Sequence, residues 1–265
     1  MSDNDILPAG YVATIFSLAG RVATVTGGGS GLGQAMAVGL AQAGASVAVL
    51  DVNDEGAAET AAAIESGGGT AAAFHCDVTD SAAVDRIADE IVGRFGRVDV
   101  LVNSAGTAFR CAAEEFPEDR FDAVLNLNLK GTYLPCQSFG RKMLAQGSGS
   151  IINIASIGGF IAYPHASAYL ASKGAVVQVT RGLALEWIGK VRVNAIAPTL
   201  MRTPLTARIG QVSSVTSDFI LARLPREGRL GEAHEIVGAA VFLASDASAL
   251  VTGHTLPVDD GYLIA

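Results

Sequence analysis

The run Thr26-Gly27-Gly28-Gly29-Ser30-Gly31-Leu32-Gly33 joins two stretches of opposite character. Before it, Val22-Ala23-Thr24-Val25 is apolar and β-branched and reads as a buried strand; after it, Leu32 to Ala43 is rich in Ala, Met and Leu and reads as a helix. A strand that passes into a helix through glycines leaves few folds open. Glycine permits the sharp turn and lets an anion approach main-chain N–H groups, while the helix N-terminus adds partial positive charge. The spacing is T-G-x-x-x-G-x-G, not G-x-G-x-x-G, and a flexible loop is the plain alternative. Its place between strand and helix favours binding of a nucleotide diphosphate.

Further apolar strands follow near residues 46, 71, 98, 150, 191 and 255, with Ala-rich helices between them. Such alternation predicts an α/β fold with a doubly wound parallel sheet of about seven strands, helices on both faces and right-handed crossovers. At 265 residues and 50% hydrophobic, the chain can bury one large core. The expected layout is an N-terminal arm over 1–20 and a single domain over 21–265. Ser66-Gly67-Gly68-Gly69 reads as a helix-to-strand loop, not a boundary. The arm holds an apolar stretch, Tyr11 to Ala19, but opens Ser2-Asp3-Asn4-Asp5 with no basic residue before Arg21, so it is not expected to be a signal peptide. It is expected to lie against the domain or a neighbouring subunit.

A net charge of −8 argues against nucleic acid or an anionic membrane as partner, and no run of eighteen apolar residues is present to span a bilayer. Cys76, Cys111 and Cys136 lack metal-ligand spacing, and His75, His165, His234 and His254 are scattered. No metal site is expected. Reduced thiols and a cytoplasmic location are.

Asp51 ends the apolar run Ser46-Val47-Ala48-Val49-Leu50, about twenty residues past the glycine turn, where a carboxylate accepts hydrogen bonds from a ribose diol. This favours NAD over NADP, because a carboxylate repels a 2′-phosphate and neither Ser30 nor Val52 supplies a neutralising Arg. A turn or helix cap is the competing reading of Asp51-Val52-Asn53-Asp54; both hold if Asp54 caps and Asp51 binds. Further on, Tyr169 and Lys173 stand four residues apart, which places a phenol and an ammonium on one helix face. A free phenol titrates near pH 10, and each unit by which a neighbouring cation lowers that value corresponds to about 1.4 kcal/mol. The pair can make a base.

These motifs occur in order with Asp77-Val78, Asn103-Ser104-Ala105-Gly106, Asn128-Leu129-Lys130-Gly131, Ser156 after Ser150 to Ile154, Arg192-Val193-Asn194-Ala195-Ile196-Ala197-Pro198 and Thr252-Gly253. From about Leu18 to Gly261 the chain thereby resembles the short-chain dehydrogenase/reductase family, and within it the NAD-dependent polyol and sugar dehydrogenases. The resemblance implies a Rossmann-type fold with Asn128, Ser156, Tyr169 and Lys173 as catalytic tetrad. It implies that Gly27, Gly29, Ser30, Gly31, Leu32, Gly33 and Asp51 hold NAD, that Asp77 and Val78 flank the adenine, and that Asn103, Ala105 and Gly106 form a turn beside the cofactor. Tyr169 and Lys173 also touch the cofactor in this reading, and Ile196, Pro198, Thr199 and Thr203 lie near the nicotinamide. Two departures stand out: Pro198-Thr199 replaces the usual Pro-Gly, and Asp259-Asp260-Gly261 replaces Asp-Gly-Gly.

The reaction so implied interconverts a secondary alcohol and a ketone, or sugar lactone, on a small polar molecule such as a polyol, sugar or sugar acid. Tyr169 takes or gives the proton, Lys173 favours the phenolate and holds ribose, Ser156 orients the reacting oxygen and Asn128 relays the proton through water. Selectivity is expected from Gly158 to Ala168 and from a lid over 199–226, with Ser156, Gly158, His165, Arg110, Arg202 and Arg223 as substrate contacts. Phe109, Phe160, Ile161 and Leu200 keep a bulky apolar substrate open. The alternatives are an NADPH-dependent 3-oxoacyl-carrier or other carbonyl reductase, and a nucleotide-binding scaffold without catalysis. Apolar helices around Lys130 to Ala145 and Ala168 to Trp187 resemble pairing helices and imply a homotetramer.

Overall fold

Short runs dominated by Val, Ala and Ile pair side by side in the computed structural model, which describes residues 7–207, 214–224 and 229–264. The strands are β1 (Val22–Thr26), β2 (Ser46–Asp51), β3 (Thr70–His75), β4 (Val100–Asn103), β5 (Gly149–Ile154), β6 (Val191–Pro198), the two-residue β7 (Met201–Arg202) and β8 (Gly231–Glu232), and β9 (Thr255–Val258). Seven of them form one sheet in the order β3-β2-β1-β4-β5-β6-β9, with every neighbour parallel. The chain winds outward first one way and then the other from β1 and β4, so the sheet opens a crevice at the carboxyl ends of these two strands. The sequence expectation of a doubly wound parallel sheet of seven strands holds. The β7–β8 pair, formed beyond the main sheet, carried no readable signal at two residues each.

The helices are α1 (Tyr11–Phe16), α2 (Gly31–Gln42), α3 (Asp54–Ser66), α4 (Ser81–Phe95), α5 (Glu118–Leu125), α6 (Gly131–Gln146), α7 (Ser167–Glu186), α8 (Ser214–Leu221) and α9 (Val237–Ala244). Successive strand residues point to opposite faces, and both faces are dry because helices cover each. Ile152, Val25, Val49 and Ile196 pack with Met36 and Leu40 of α2 and Leu243 of α9. Ile151, Leu101, Leu50 and Val193 pack on the other side with Ile87 and Ile91 of α4 and Phe139 and Met143 of α6. The arm leads into α1, whose Phe16 ring lies 6.4 Å from that of Phe242, so this part of it rests on the domain's own α9.

One expected cap moves by a residue. Asn53 caps α3 through its side-chain oxygen, which accepts from the Gly56 N–H at 3.3 Å, while Asp54 sits in the first turn with Oδ1 2.7 Å from His75 Nδ1. Both placements favour the helix, since a carboxylate in the first turn meets the positive end of the helix dipole. Ser66 ends α3 and Thr70 begins β3, as a connecting loop at 67–69 requires. Asp260 adopts φ 55°, so the left-handed backbone usually given to glycine is kept here by an Asp, one of the few side chains that tolerate it.

Candidate active site

The glycine turn is shaped by contacts that leave no room for side chains. A Cβ on Gly33 would lie 2.1 Å from the Gly27 carbonyl oxygen, and one on Gly27, at φ 63°, would lie 2.8 Å from Ala105. Here the first turn of α2 rides directly on the end of β1, so that main-chain N–H groups face the crevice. Thr26 Oγ1 accepts from the N–H groups of Ser104 and Ala105 and ties the loop after β4 to this turn. The crevice so made is a cleft of about 500 Å³, lined along one side by Gly27, Ser30, Gly31, Leu32, Gly33 and Asp51. Asp77, Val78, Ala105 and Gly106 continue it toward Ser156, Tyr169 and Lys173, with Pro198, Thr199 and Thr203 opposite. A glycine cradle of this shape fits a dinucleotide, with Asp51 at the ribose end.

Asp51 Oδ2 accepts from the Gly29 N–H at 2.9 Å and Oδ1 from the Asn53 N–H at 3.0 Å, so the carboxylate is fixed before any ligand arrives. Among the described residues lining the cleft, Lys173 is the only Lys, Arg or His. Thr79, by its backbone N–H and its hydroxyl, holds the Asp77 carboxyl below the ordinary carboxylate range.

Residues expected to act together on an alcohol meet at the inner end of the cleft. Ser156 Oγ accepts from the Gly158 N–H at 3.0 Å, which leaves its own hydrogen to donate. Lys173 is buried on α7, with Nζ 2.7 Å from the Ile154 carbonyl oxygen and 5.9 Å from the centre of the Tyr169 ring. Burial brings the Lys173 ammonium down from the ordinary 10.5 to about 8. Asn128 is fully buried in a π-helical turn, Asn126–Lys130, between α5 and α6. Its Oδ1 accepts from the Thr107 N–H at 2.8 Å, and its Nδ2 donates to the Thr107 carbonyl and to Ser172 Oγ at 2.9 and 3.0 Å. Both amide hydrogens are spent, so a water relaying a proton to Asn128 has only oxygens to donate to.

Not every expected contact reaches the cleft. Asn103 is buried within the sheet and turns Nδ2 to Asn153 Oδ1 at 2.9 Å and to Cys136, so it braces β4 against β5 instead of touching the cofactor. Ile196 is wholly buried in the core, because its strand position points into the packed face. Gly29 spends its N–H on Asp51 and lies outside the lining. Gly158 is buried under Tyr163 and Leu170, and His165, at φ 59°, gives its carbonyl to the Cys111 N–H. Arg202 is a surface residue paired with Glu232 at 3.0 Å, and Arg223 stacks 3.7 Å over the Phe219 ring; neither lines the cleft. The lid expected over 199–226 is described at 199–207 and 214–224, and Arg226 lies outside the described residues.

Three features of the site come from the fold. Ser104, Thr107 and Leu127 line the cleft, carried there by the loop after β4 and the π-helical turn. Thr199 keeps Oγ1 buried without a hydrogen-bond partner in the cleft wall. Arg110 is 7% exposed and stacks on two tyrosines, Tyr163 and Tyr169, with its guanidinium carbon 5.3 and 4.8 Å from their ring centres. No spacing pattern links 110 to 163 and 169; only the fold joins them.

A doubly wound sheet with a glycine cradle at its switch point, and a Ser, Tyr and Lys at the far end of the same cleft, defines an NAD(P)-dependent oxidoreductase. The chain belongs to the short-chain dehydrogenase/reductase family: the sequence model described as Enoyl-(Acyl carrier protein) reductase matches residues 27–263. The D-threitol dehydrogenase of Mycolicibacterium smegmatis is 44% identical over 250 residues, which span 94% of this chain and 95% of that one. The NAD-dependent glycerol dehydrogenase of Listeria innocua is 40% identical over 252 residues, or 94% and 96% of the two chains. Among solved structures, a gluconate 5-dehydrogenase from Burkholderia cenocepacia in complex with NADP and tartrate superposes with a TM-score of 0.90 at 38% identity, covering 96% of this chain and 99% of that chain.

The depressed Lys173 yields a prediction about stability. Lys173→Met should abolish turnover yet leave the apo protein at least as heat-stable at pH 7, because an apolar side chain of similar length removes a charge that burial penalises. The folded wild type sheds the Lys173 proton near pH 8 and the unfolded chain near 10.5. Between these values the unfolded state binds more protons, so wild-type stability gains on the variant as pH rises and the variant's advantage shrinks. Thermal melts at pH 7 and pH 10 measure this. A lower Tm for the variant at pH 7 would mean that the bond to the Ile154 carbonyl outweighs the cost of the charge.

Proposed function

We propose that this protein is an NAD-preferring dehydrogenase that oxidises a secondary alcohol on a polyol, sugar or sugar acid. The observation that carries the reading is the shared cleft, which runs from Asp51 at one end to Ser156, Tyr169 and Lys173 at the other. Bound there, the nicotinamide ring would accept the hydride from the carbinol carbon. The protein's own part is to move the proton and hold the oxygen. Ser156 donates to the reacting hydroxyl oxygen, Tyr169 takes its proton as general base, and Lys173 stabilises the phenolate by its charge and holds the ribose. Asn128 acts on this group by fixing Thr107 and Ser172, and its oxygens offer acceptors for the water that carries the proton away. In the reverse direction Tyr169 protonates the oxygen of the ketone.

Threitol and glycerol dehydrogenases at 44% and 40% identity support a polyol-type substrate, and the likeness to a gluconate 5-dehydrogenase supports the sugar acid. For the cofactor, the fixed Asp51 carboxylate and the exposed Val52 beside it favour a free ribose 2′-hydroxyl over a phosphate. The NADP held by the structural relative points the other way; the carboxylate at residue 51 is what supports NAD for this chain. We also propose a homotetramer, supported by Tyr133 on α6 and Leu185 on α7, both exposed; light scattering that reads a monomer at micromolar concentration would refute it. The three unpaired thiols suit a cytoplasmic setting.

The test of the reaction is NADH formation by the purified protein over polyols, sugars, hydroxy acids and hydroxysteroids. Turnover confined to the polar panel is expected. Turnover of hydroxysteroids alone would overturn the substrate class, and no turnover with any of them would favour the non-catalytic reading.

A further inference from the structure

Thr60 lies on α3, wholly buried and outside the cleft lining, and the chemistry above gives it no task. Gly56 stands one helical turn before it on the same face, and a Cβ there would lie 2.7 Å from the Gly29 carbonyl oxygen. The missing side chain lets α3 press against the glycine turn, which brings the Thr60 hydroxyl to the Gly28 carbonyl oxygen at 2.9 Å. Gln34 of α2 donates its side-chain N–H to the same hydroxyl at 3.0 Å. The Thr60 oxygen accepts there, so its one hydrogen is left for a carbonyl. Two carbonyls lie in reach, those of Gly28 and Gly56 at 2.9 Å each, but the second already has the N–H partner that an α-helix supplies.

The Gly28 carbonyl belongs to the same peptide unit as the Gly29 N–H, and that N–H donates to Asp51 Oδ2 at 2.9 Å. One rigid plane is thus pinned at both edges, by Thr60 on one side and by Asp51 on the other. The pinning matters because the plane lies between two glycines, whose missing side chains leave its rotation little hindered. A rotated plane would turn the Gly28 oxygen, and not an N–H, toward the Asp51 carboxylate. Asp51 would then keep only the Asn53 N–H at its other oxygen. Held at both oxygens, the carboxylate cannot swing aside for a 2′-phosphate; held at one, it can.

We propose that Thr60 is a positioning residue for cofactor choice: its hydroxyl locks the Gly28–Gly29 peptide, and that peptide locks Asp51 against a 2′-phosphate. This rests on the NAD reading above and deepens it. Rejection of NADP then comes from the stiffness of the carboxylate as well as from its charge, since a repelling group discriminates only where it cannot move away.

Calorimetric titration of the purified protein with NAD and with NADP tests this, the quantity read being the ratio of the two dissociation constants. Thr60→Val keeps the shape of the side chain and deletes the donor, and should shrink the margin for NAD over NADP by about ten-fold. Thr60→Ser keeps the hydroxyl and should keep the wild-type margin. In an Asp51→Ser background, Thr60→Val should change the ratio by less than about two-fold, because the group it acts through is gone. An unchanged ratio in folded Thr60→Val, or a loss of affinity equal for both cofactors, would show a structural part only and overturns the proposal. A shift as large in the Asp51→Ser background as in wild type overturns it too. Should Thr60→Val fail to fold, Thr60→Cys, whose thiol is a weak donor, is read in the same way. A wild type that binds NADP more tightly overturns the reading of Asp51 along with this one, whereas a preference for NAD untouched by Thr60 overturns only the latter.

Discussion

Tyr169→Phe should lower kcat by about 10² to 10⁴, the usual cost of losing a general base, while NAD binding measured by fluorescence titration stays close to wild type. The substitution removes one hydroxyl and leaves the ring that Arg110 and Lys173 stack against, so the cleft wall keeps its shape. It therefore separates proton transfer from assembly of the site. A variant with wild-type kcat would show that Tyr169 is not the base. A variant that loses NAD binding as well would show that the hydroxyl has a structural part in the cleft.

Asp51→Ser combined with Val52→Arg should move preference from NAD toward NADP. The change removes a repelling carboxylate and adds a phosphate partner; one such charge-assisted hydrogen bond, at about 1.5–3 kcal/mol, corresponds to roughly 10- to 100-fold in the kcat/KM ratio. Part of that gain is offset here, because Asp51 also accepts from the N–H groups of Gly29 and Asn53. The variant should thus lose efficiency with NAD by more than its gain with NADP, and melt lower. Steady-state kcat/KM for both cofactors measures the shift. Wild-type preference for NADP would overturn the role given to Asp51.

The sheet was legible because its strands are buried on both faces and read as apolar runs such as Ser46 to Leu50 and Ser150 to Ile154, each set off by polar or glycine residues. The cradle was legible because glycine is the one residue that Gly27 and Gly33 admit at those contacts. Side-chain direction was not. A pattern places Asn103 and Ile196 next to the cofactor, yet it does not say which face of the strand each looks from, and both look into packed interior. Arg110 was legible as a basic residue near the cleft; its burial and its two aromatic neighbours depend on three segments meeting. The surface roles of Arg202 and Arg223 were set by partners as local as Glu232 and Phe219, which composition alone does not rank above a distant ligand.

The π-helical turn at Asn126–Lys130 has a consequence for chain length. A turn closed by i to i+5 bonds holds one residue more than regular α-helix needs, so α5, this turn and α6 amount to a continuous helix carrying a one-residue insertion. Without that residue, everything downstream would be rotated by about 100° relative to what precedes it. Phe139 and Met143 face the core while Asn128 faces Thr107 and Ser172, and a regular helix cannot hold both orientations in this register. Substitutions at the exposed positions of this turn are therefore tolerable in principle, whereas a single-codon deletion is not. Alignment gaps falling here between relatives would mark a change in the site, not drift in a loop.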